Sequence, residues 1–367
     1  MTKIKVLRIV IVFCLGTFLC SCGAAYKTLT ISMGNPQIKV QGRTEFSEDG
    51  GLRLYWSGTS IEMRFKGTGL SVDMIDDQGD NYYNVFVDDS LYLVLRPDKT
   101  RKTYNLARGL QDEQHIIKIF KRTEWTRGTS EVYGFTVAGE NPEILKLKPK
   151  KKKIEFYGDS ITAGYAVEDL SGKDSPDSTY TNNYKSYAAI TARYFDAEYH
   201  AICRSGIGIM LGWDDMVMGE LYDRLNPNDS LSKWDFNSYK PGIVVINLFQ
   251  NDSWLVNLPE RTGFKKKFGN GTPDDGHIVK SYKDFIKRLR EVYPNTKIVC
   301  VLGNMDATSK DSVWGEYIKR AVEELNDNEL YYLIVPYKDT PGHPNEKEQQ
   351  VLADSLISFI QNKISWQ

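Results

Sequence analysis

The sequence predicts two domains of different class: an all-β jelly-roll sandwich over residues 29–147, then an α/β domain with a parallel sheet over residues 153–367. Three observations predict it. The chain has 367 residues, about two domains at roughly 150 residues each, and is 41% hydrophobic, enough for two ordinary cores. The first part carries short alternating runs broken by turn residues, whereas the second alternates apolar runs of strand length with amphipathic runs of helix length. Between them the lysines at 146, 148 and 150 to 153 read as a solvated linker.

At the N-terminus, Lys3, Lys5 and Arg8 precede an apolar run from Ile9 to Leu19, too short to span a bilayer comfortably and patterned like a signal peptide. Its end, "LCSCG", resembles the lipobox of bacterial lipoproteins. That resemblance implies a signal peptide over residues 1–21, lipid on Cys22 and a place in the bacterial cell envelope, with membrane contact through that lipid only. A plain secretory signal is the alternative. Cleavage before Cys22 leaves Cys203 and Cys300 as the thiols, both in apolar runs and read as small buried hydrophobes.

The β region is read from "LRLYW", "IEMRF", "LSVDMI", "YYNVFVDD", "IIKIF" and "VYGFTVAG", separated by Ser-Gly, Lys-Gly-Thr-Gly, Asp-Gln-Gly-Asp and Arg-Gly-Thr. Short strands at regular spacing without helices fold as two packed antiparallel sheets. The α/β region starts with "IEFY", continues through a helix near "NYKSYAAITARYF", and carries strands at "AEYHAI", "GIVVINLF", "TKIVCVLG" and "LYYLIV". Helices at "VKSYKDFIKRLREVY", "WGEYIKRAVEELN" and "EKEQQVLADSLISFIQNKI" alternate with them, the last opened by an Asn345 and Glu348 capping box. Segments 166–182 and 253–276 lack clear periodicity and are read as cleft-shaping loops or plain insertions.

Strand carboxyl ends are where such sheets bind ligands, and the chemistry-bearing residues cluster there. "GDSI" turns sharply from strand to helix at Ser160, which is either a helix cap or a nucleophile. Of the four histidines, His343 in "TPGHPNE" follows the last strand and precedes the capped helix; His115, His200 and His277 are read as structural. "ICRSGIG" and "NLFQNDSW" end two further strands. A backbone N–H at Gly206, the Asn251 amide and the Ser160 N–H would serve as donors to an oxyanion. Asp159 and Asp252 are read as turn braces.

Ser160 in Gly-Asp-Ser-Ile, Gly206 in Ser-Gly-Ile-Gly, Asn251 in Gln-Asn-Asp and His343 in Gly-His-Pro-Asn resemble the four blocks of the SGNH (GDSL-type) hydrolases, in order, across residues 154–345. The resemblance implies a flavodoxin-like SGNH-hydrolase domain and a serine esterase with His343 as base. With a jelly roll in front, the chain resembles carbohydrate esterase family 2, which implies removal of acetyl groups from plant-type polysaccharides such as xylan, or from acetylated sugars. A non-catalytic carbohydrate-binding surface lipoprotein, or an SGNH esterase or lipase acting on other esters, is the alternative.

Two positions depart from the family pattern. Phe249 and Gln250 stand where Gly-Thr usually precedes the asparagine. The aspartate expected three residues before the histidine is Thr340, and the nearest carboxylate is Asp339. The partner of His343 is therefore either Asp339 or a backbone carbonyl; Pro341 holds Thr340 extended, and alternation then aims Asp339 away from the ring. Trp254, Trp213 and Tyr165, each close behind a block, are candidate sugar platforms, though such rings also fill cores. Neither the near-balance of 47 basic and 48 acidic residues, net charge −1, nor the Cys and His spacing points to nucleic acid, a metal or a cofactor.

Overall fold

The computed structural model describes residues 26–365. The segment read as a signal peptide, residues 1–21, and Cys22 lie outside the described residues. Two six-stranded antiparallel sheets make the N-terminal sandwich, and a five-stranded parallel sheet organises the rest.

The sandwich forms because its strands alternate. Ser60–Gly67 and Gly69–Asp76 place Met63, Phe65, Val72 and Met74 inward and the residues between them outward, so both sheets close over one core. The strand Tyr83–Val87 breaks this pattern and is buried on both faces. The cause is the second domain: Phe86 and Phe120 pack outward onto Tyr184, with ring centroids 4.5 and 5.2 Å away. The short strands Lys27–Ser32 and Glu143–Leu145 bound the sandwich in sequence.

In the parallel sheet the strand order is Ala197–Cys203, Lys152–Gly158, Ile243–Asn247, Lys297–Leu302, Leu330–Ile334. The chain enters in the second position, so the crossovers diverge on either side of Lys152–Gly158 and leave a crevice beyond its carboxyl end. Helices Tyr187–Tyr194 and Glu346–Lys363 cover one face; Asp275–Val292 and Trp314–Leu325 cover the other. The capping box at Asn345 and Glu348 is present. A short helix at Thr262–Phe268 lies inside the segment read as aperiodic; three consecutive lysines hide its single buried residue, Phe264.

The domains are keyed together by Arg43. Its fully buried guanidinium donates to Glu155 Oε1 at 3.0 Å and to the Tyr222 and Arg224 carbonyls at 2.7 and 2.9 Å, between the faces of Trp234 and Phe236. Glu155 Oε2 accepts the hydroxyls of Tyr157 and Tyr293, both at 2.7 Å. Burial alone would raise the Glu155 pKa, but Arg43, His200 and Tyr157 outweigh it and bring it down to about 2.

Candidate active site

The strand Lys152–Gly158 runs into a single helical turn, Ser160–Ala163, and the cap of that turn is Asp159, whose Oδ1 accepts the Ile161 N–H at 3.0 Å. Asp159 thus does the capping, and the Ser160 hydroxyl is free for another partner. That partner is His343: Nε2 lies 2.8 Å from Ser160 Oγ, across 183 residues of sequence. Both groups are largely withdrawn from solvent, Ser160 being 6% exposed and the His343 side chain 15%.

The carboxylate behind the histidine is neither Asp339 nor replaced by a carbonyl. Asp174, from the aperiodic segment after the nucleophile, accepts the His343 backbone N–H on Oδ1 at 2.7 Å and brings Oδ2 to 2.9 Å from Nδ1, off the ring N–H axis. Burial would raise its pKa, but the His343 ring and backbone N–H prevail and hold it below the ordinary aspartate value. Its approach needs Gly342, at φ 70, where a Cβ would sit 2.8 Å from Asp174 Oδ1. Asp339 is exposed, at φ 55. The loop curls round Lys338, whose Nζ donates to Thr340 O at 2.8 Å and Pro341 O at 3.1 Å, and this turns Asp339 outward.

On the opposite side, Gly206 adopts φ 83 and its N–H has no acceptor among the described residues. The Asn251 amide is oriented by three contacts. Its oxygen accepts the Trp213 indole N–H at 3.0 Å; its nitrogen donates to Ile207 O at 2.9 Å and reaches Asp159 Oδ2 at 3.3 Å. One N–H is committed to Ile207; the second, in the longer contact, is the one an oxyanion would claim. Burial raises Asp159 to about 7, which weakens it as a competing acceptor near neutrality. Asp252 braces the adjacent loop by accepting the N–H groups of Ile209, Met210 and Leu211 at 2.7 to 2.9 Å.

The departure at Phe249 leaves the backbone in the left-handed region that glycine would adopt, at φ 93. A bulky residue there is strained. Its ring is fully buried against Tyr282 and Trp314, at 4.7 and 5.1 Å, and that packing holds the conformation. Gln250 turns inward and accepts the Ala307 N–H at 3.2 Å.

The three aromatic candidates separate. Trp213 is 40% exposed beside Gly206, with the Arg261 guanidinium 4.7 Å from its ring centroid. Trp254 is half-buried and donates its indole N–H to Asp306 at 3.0 Å. Tyr165 is used within the site: its ring meets His343 edge-on at 4.9 Å and its hydroxyl donates to Asp174 O at 3.3 Å. The other histidines are elsewhere. His115 pairs with Asp88, His200 is stacked on Tyr239 at 3.6 Å, and His277 sits at a helix start. Cys203 and Cys300 are free and buried, and burial pushes both thiols upward, Cys300 to about 12.

A hydroxyl bonded to an imidazole, itself backed by a carboxylate, with amide donors facing it, is an arrangement for acyl transfer. Two family models match the chain: "Carbohydrate esterase 2 N-terminal" over residues 40–145 and "GDSL-like Lipase/Acylhydrolase family" over residues 156–348. Among known proteins, the chain is 32% identical over 343 residues to the cellulase/esterase CelE of Acetivibrio thermocellus, covering 90% of this chain but 40% of that protein's length. It is 24% identical to an acetylxylan esterase / glucomannan deacetylase of Cellvibrio japonicus, covering 92% of each. A solved family two carbohydrate esterase from Clostridium thermocellum in complex with cellohexaose superposes with a TM-score of 0.79 at 31% identity, covering 90% of this chain and 100% of that one.

Proposed function

The chain belongs to carbohydrate esterase family 2, and we propose from that membership and the site geometry that it is a serine esterase removing O-acetyl groups from plant-type polysaccharides or their oligosaccharides. The observation that carries the reading is the 2.8 Å contact between Ser160 Oγ and His343 Nε2 beyond the carboxyl end of the strand Lys152–Gly158. His343 takes the hydroxyl proton as Oγ attacks the acetyl carbonyl carbon. The oxyanion forms against the Gly206 N–H, the Asn251 amide and the Ser160 N–H. Collapse breaks the bond to the sugar oxygen, which leaves with the proton from His343. Water, deprotonated by the same imidazole, then attacks the acetyl group on Ser160 and releases acetate. Asp174 keeps the imidazole in the productive tautomer and stabilises its cation.

In the same reading the exposed face of Trp213 offers a sugar-sized platform beside the oxyanion donors, and the protein is held at the cell envelope by lipid on Cys22. Replacing Cys22 by serine should then move it out of the membrane fraction, because lipid is the anchor. Acetate release from acetylated xylan, acetylated glucomannan, acetylated hexosides and a non-carbohydrate acyl ester tests the substrate class. Release is expected from the acetylated glycans. Binding without hydrolysis would favour the non-catalytic module, and preference for the non-carbohydrate ester would favour the other alternative.

A further inference from the structure

The loop that carries the Gly206 N–H is gripped from outside the α/β domain. Arg204 to Ile207 form a turn closed by the Ile207 N–H to Arg204 O at 3.3 Å, with Gly206 third at φ 83. A positive φ at that position marks a type II turn, whose central peptide faces the opposite way from that of type I. The central peptide here joins Ser205 to Gly206. Which way it faces decides whether the Gly206 N–H points at the crevice, and glycine itself permits either orientation.

Glu124 of the β-sandwich fixes the residue before it. Its Oε2 accepts the Ser205 N–H at 2.6 Å and its Oε1 accepts the Ser205 hydroxyl at 2.5 Å. Glu124 is 4% exposed and directly precedes Trp125, which is packed into the α/β core. Two grips on one residue, backbone and side chain, leave the following peptide little freedom. The sandwich also reaches the loop bearing Asp174. Arg127 donates to Pro176 O at 2.6 Å and Arg122 to Thr179 O at 2.8 Å, while Asp80 accepts the Ser178 hydroxyl at 2.6 Å.

We propose that Glu124 is a positioning residue for the oxyanion hole, so that the β-sandwich completes the catalytic site of its neighbour; this rests on the esterase reading above. Removing an oxyanion donor costs about a hundred- to a thousand-fold in kcat. Misaiming the Gly206 donor part of the time costs less. Glu124→Ala should therefore lower kcat on 4-nitrophenyl acetate by roughly ten- to a hundred-fold with KM within about three-fold of the parent. Glu124→Gln keeps an acceptor for the N–H and an amide donor that the hydroxyl oxygen can accept, and should recover kcat to within several-fold. A kcat for Glu124→Ala equal to the parent's, or a loss carried by KM alone, would overturn the proposal. If Glu124→Ala does not fold, Glu124→Asp decides, since a side chain one methylene shorter cannot keep both contacts to Ser205: a several-fold fall in kcat at unchanged melting temperature supports the proposal, and an unchanged kcat overturns it. Activity in the parent and none in Ser160→Ala establish the esterase reading separately, so failure of one is not failure of the other.

Discussion

Asp174 holds His343 from two directions, through the backbone N–H at 2.7 Å and with a carboxylate oxygen 2.9 Å from Nδ1. The backbone contact fixes where the loop sits, and the side-chain contact fixes how the ring faces. Because both come from one carboxylate, loop position and imidazole tautomer are coupled. The off-axis approach at Nδ1 suits a free enzyme whose catalytic hydrogen bonds tighten when substrate binds.

Asp174→Asn should therefore lower kcat by between about a hundred- and ten-thousand-fold, the upper value being that of a triad aspartate lost to asparagine. Asp339→Asn should stay within a few-fold of the parent. Steady-state turnover of both variants on a small acetyl ester checks this; the reverse ranking would return the acid role to Asp339.

Arg43 and Glu155 form a fully buried pair between the domains, and removing one member strands the other. Arg43→Met should cost about 3 to 5 kcal/mol at neutral pH. The sign with pH follows from the depressed Glu155 value of about 2. A lowered carboxylate contributes its stability above the unfolded value and loses it as pH falls through the folded one. The gap between parent and variant should accordingly shrink as pH drops from about 4.5 toward 2. Urea unfolding at a series of pH values reads this, and a gap that widened in acid would contradict it.

Trp213 donates its indole N–H to the Asn251 oxygen, and so holds the amide with its nitrogen toward Ile207 and Asp159. Trp213→Phe keeps a ring and loses the donor. Its kcat should fall by about ten-fold with little change in KM, less than the loss of a whole oxyanion donor. Trp213→Ala should raise KM on oligosaccharide esters as well. Equal kcat in parent and phenylalanine variant would mean that the indole N–H does not orient the amide.

Phe249 reverses an ordinary expectation. Deleting a buried phenylalanine costs about 3 to 5 kcal/mol, but at φ 93 alanine keeps the left-handed strain that glycine escapes, worth about 1 to 2 kcal/mol. Phe249→Gly should be more stable than Phe249→Ala. Denaturation midpoints in the opposite order would show that the strain is negligible.

What the sequence made legible was periodic or local. Alternation predicted the sandwich strands, apolar runs the parallel sheet, and the strand-end positions of Ser160, Gly206, Asn251 and His343 follow from that sheet. Asp174 was missed because it lies in residues 166–182, where no repeat marks orientation, and because it meets His343 across 169 residues. The expectation for Asp339 had the loop's extended backbone but lacked Lys338, whose buried ammonium pulls the chain inward. Arg43 and Glu124 were invisible for another reason. A single charged residue in a turn reads as surface until the facing domain is known, and both are buried by that domain.

In the proposed reaction Ser160 carries the acetyl group. Acetate release from acetylated xylan by the parent and by Ser160→Ala, with circular dichroism to confirm folding, decides whether it does. Asp159 supplies the helix cap, so the substitution should leave the melting temperature nearly unchanged while acetate release falls to background. A correctly folded Ser160→Ala protein that turned over within a few-fold of the parent would show that Ser160 is not the nucleophile.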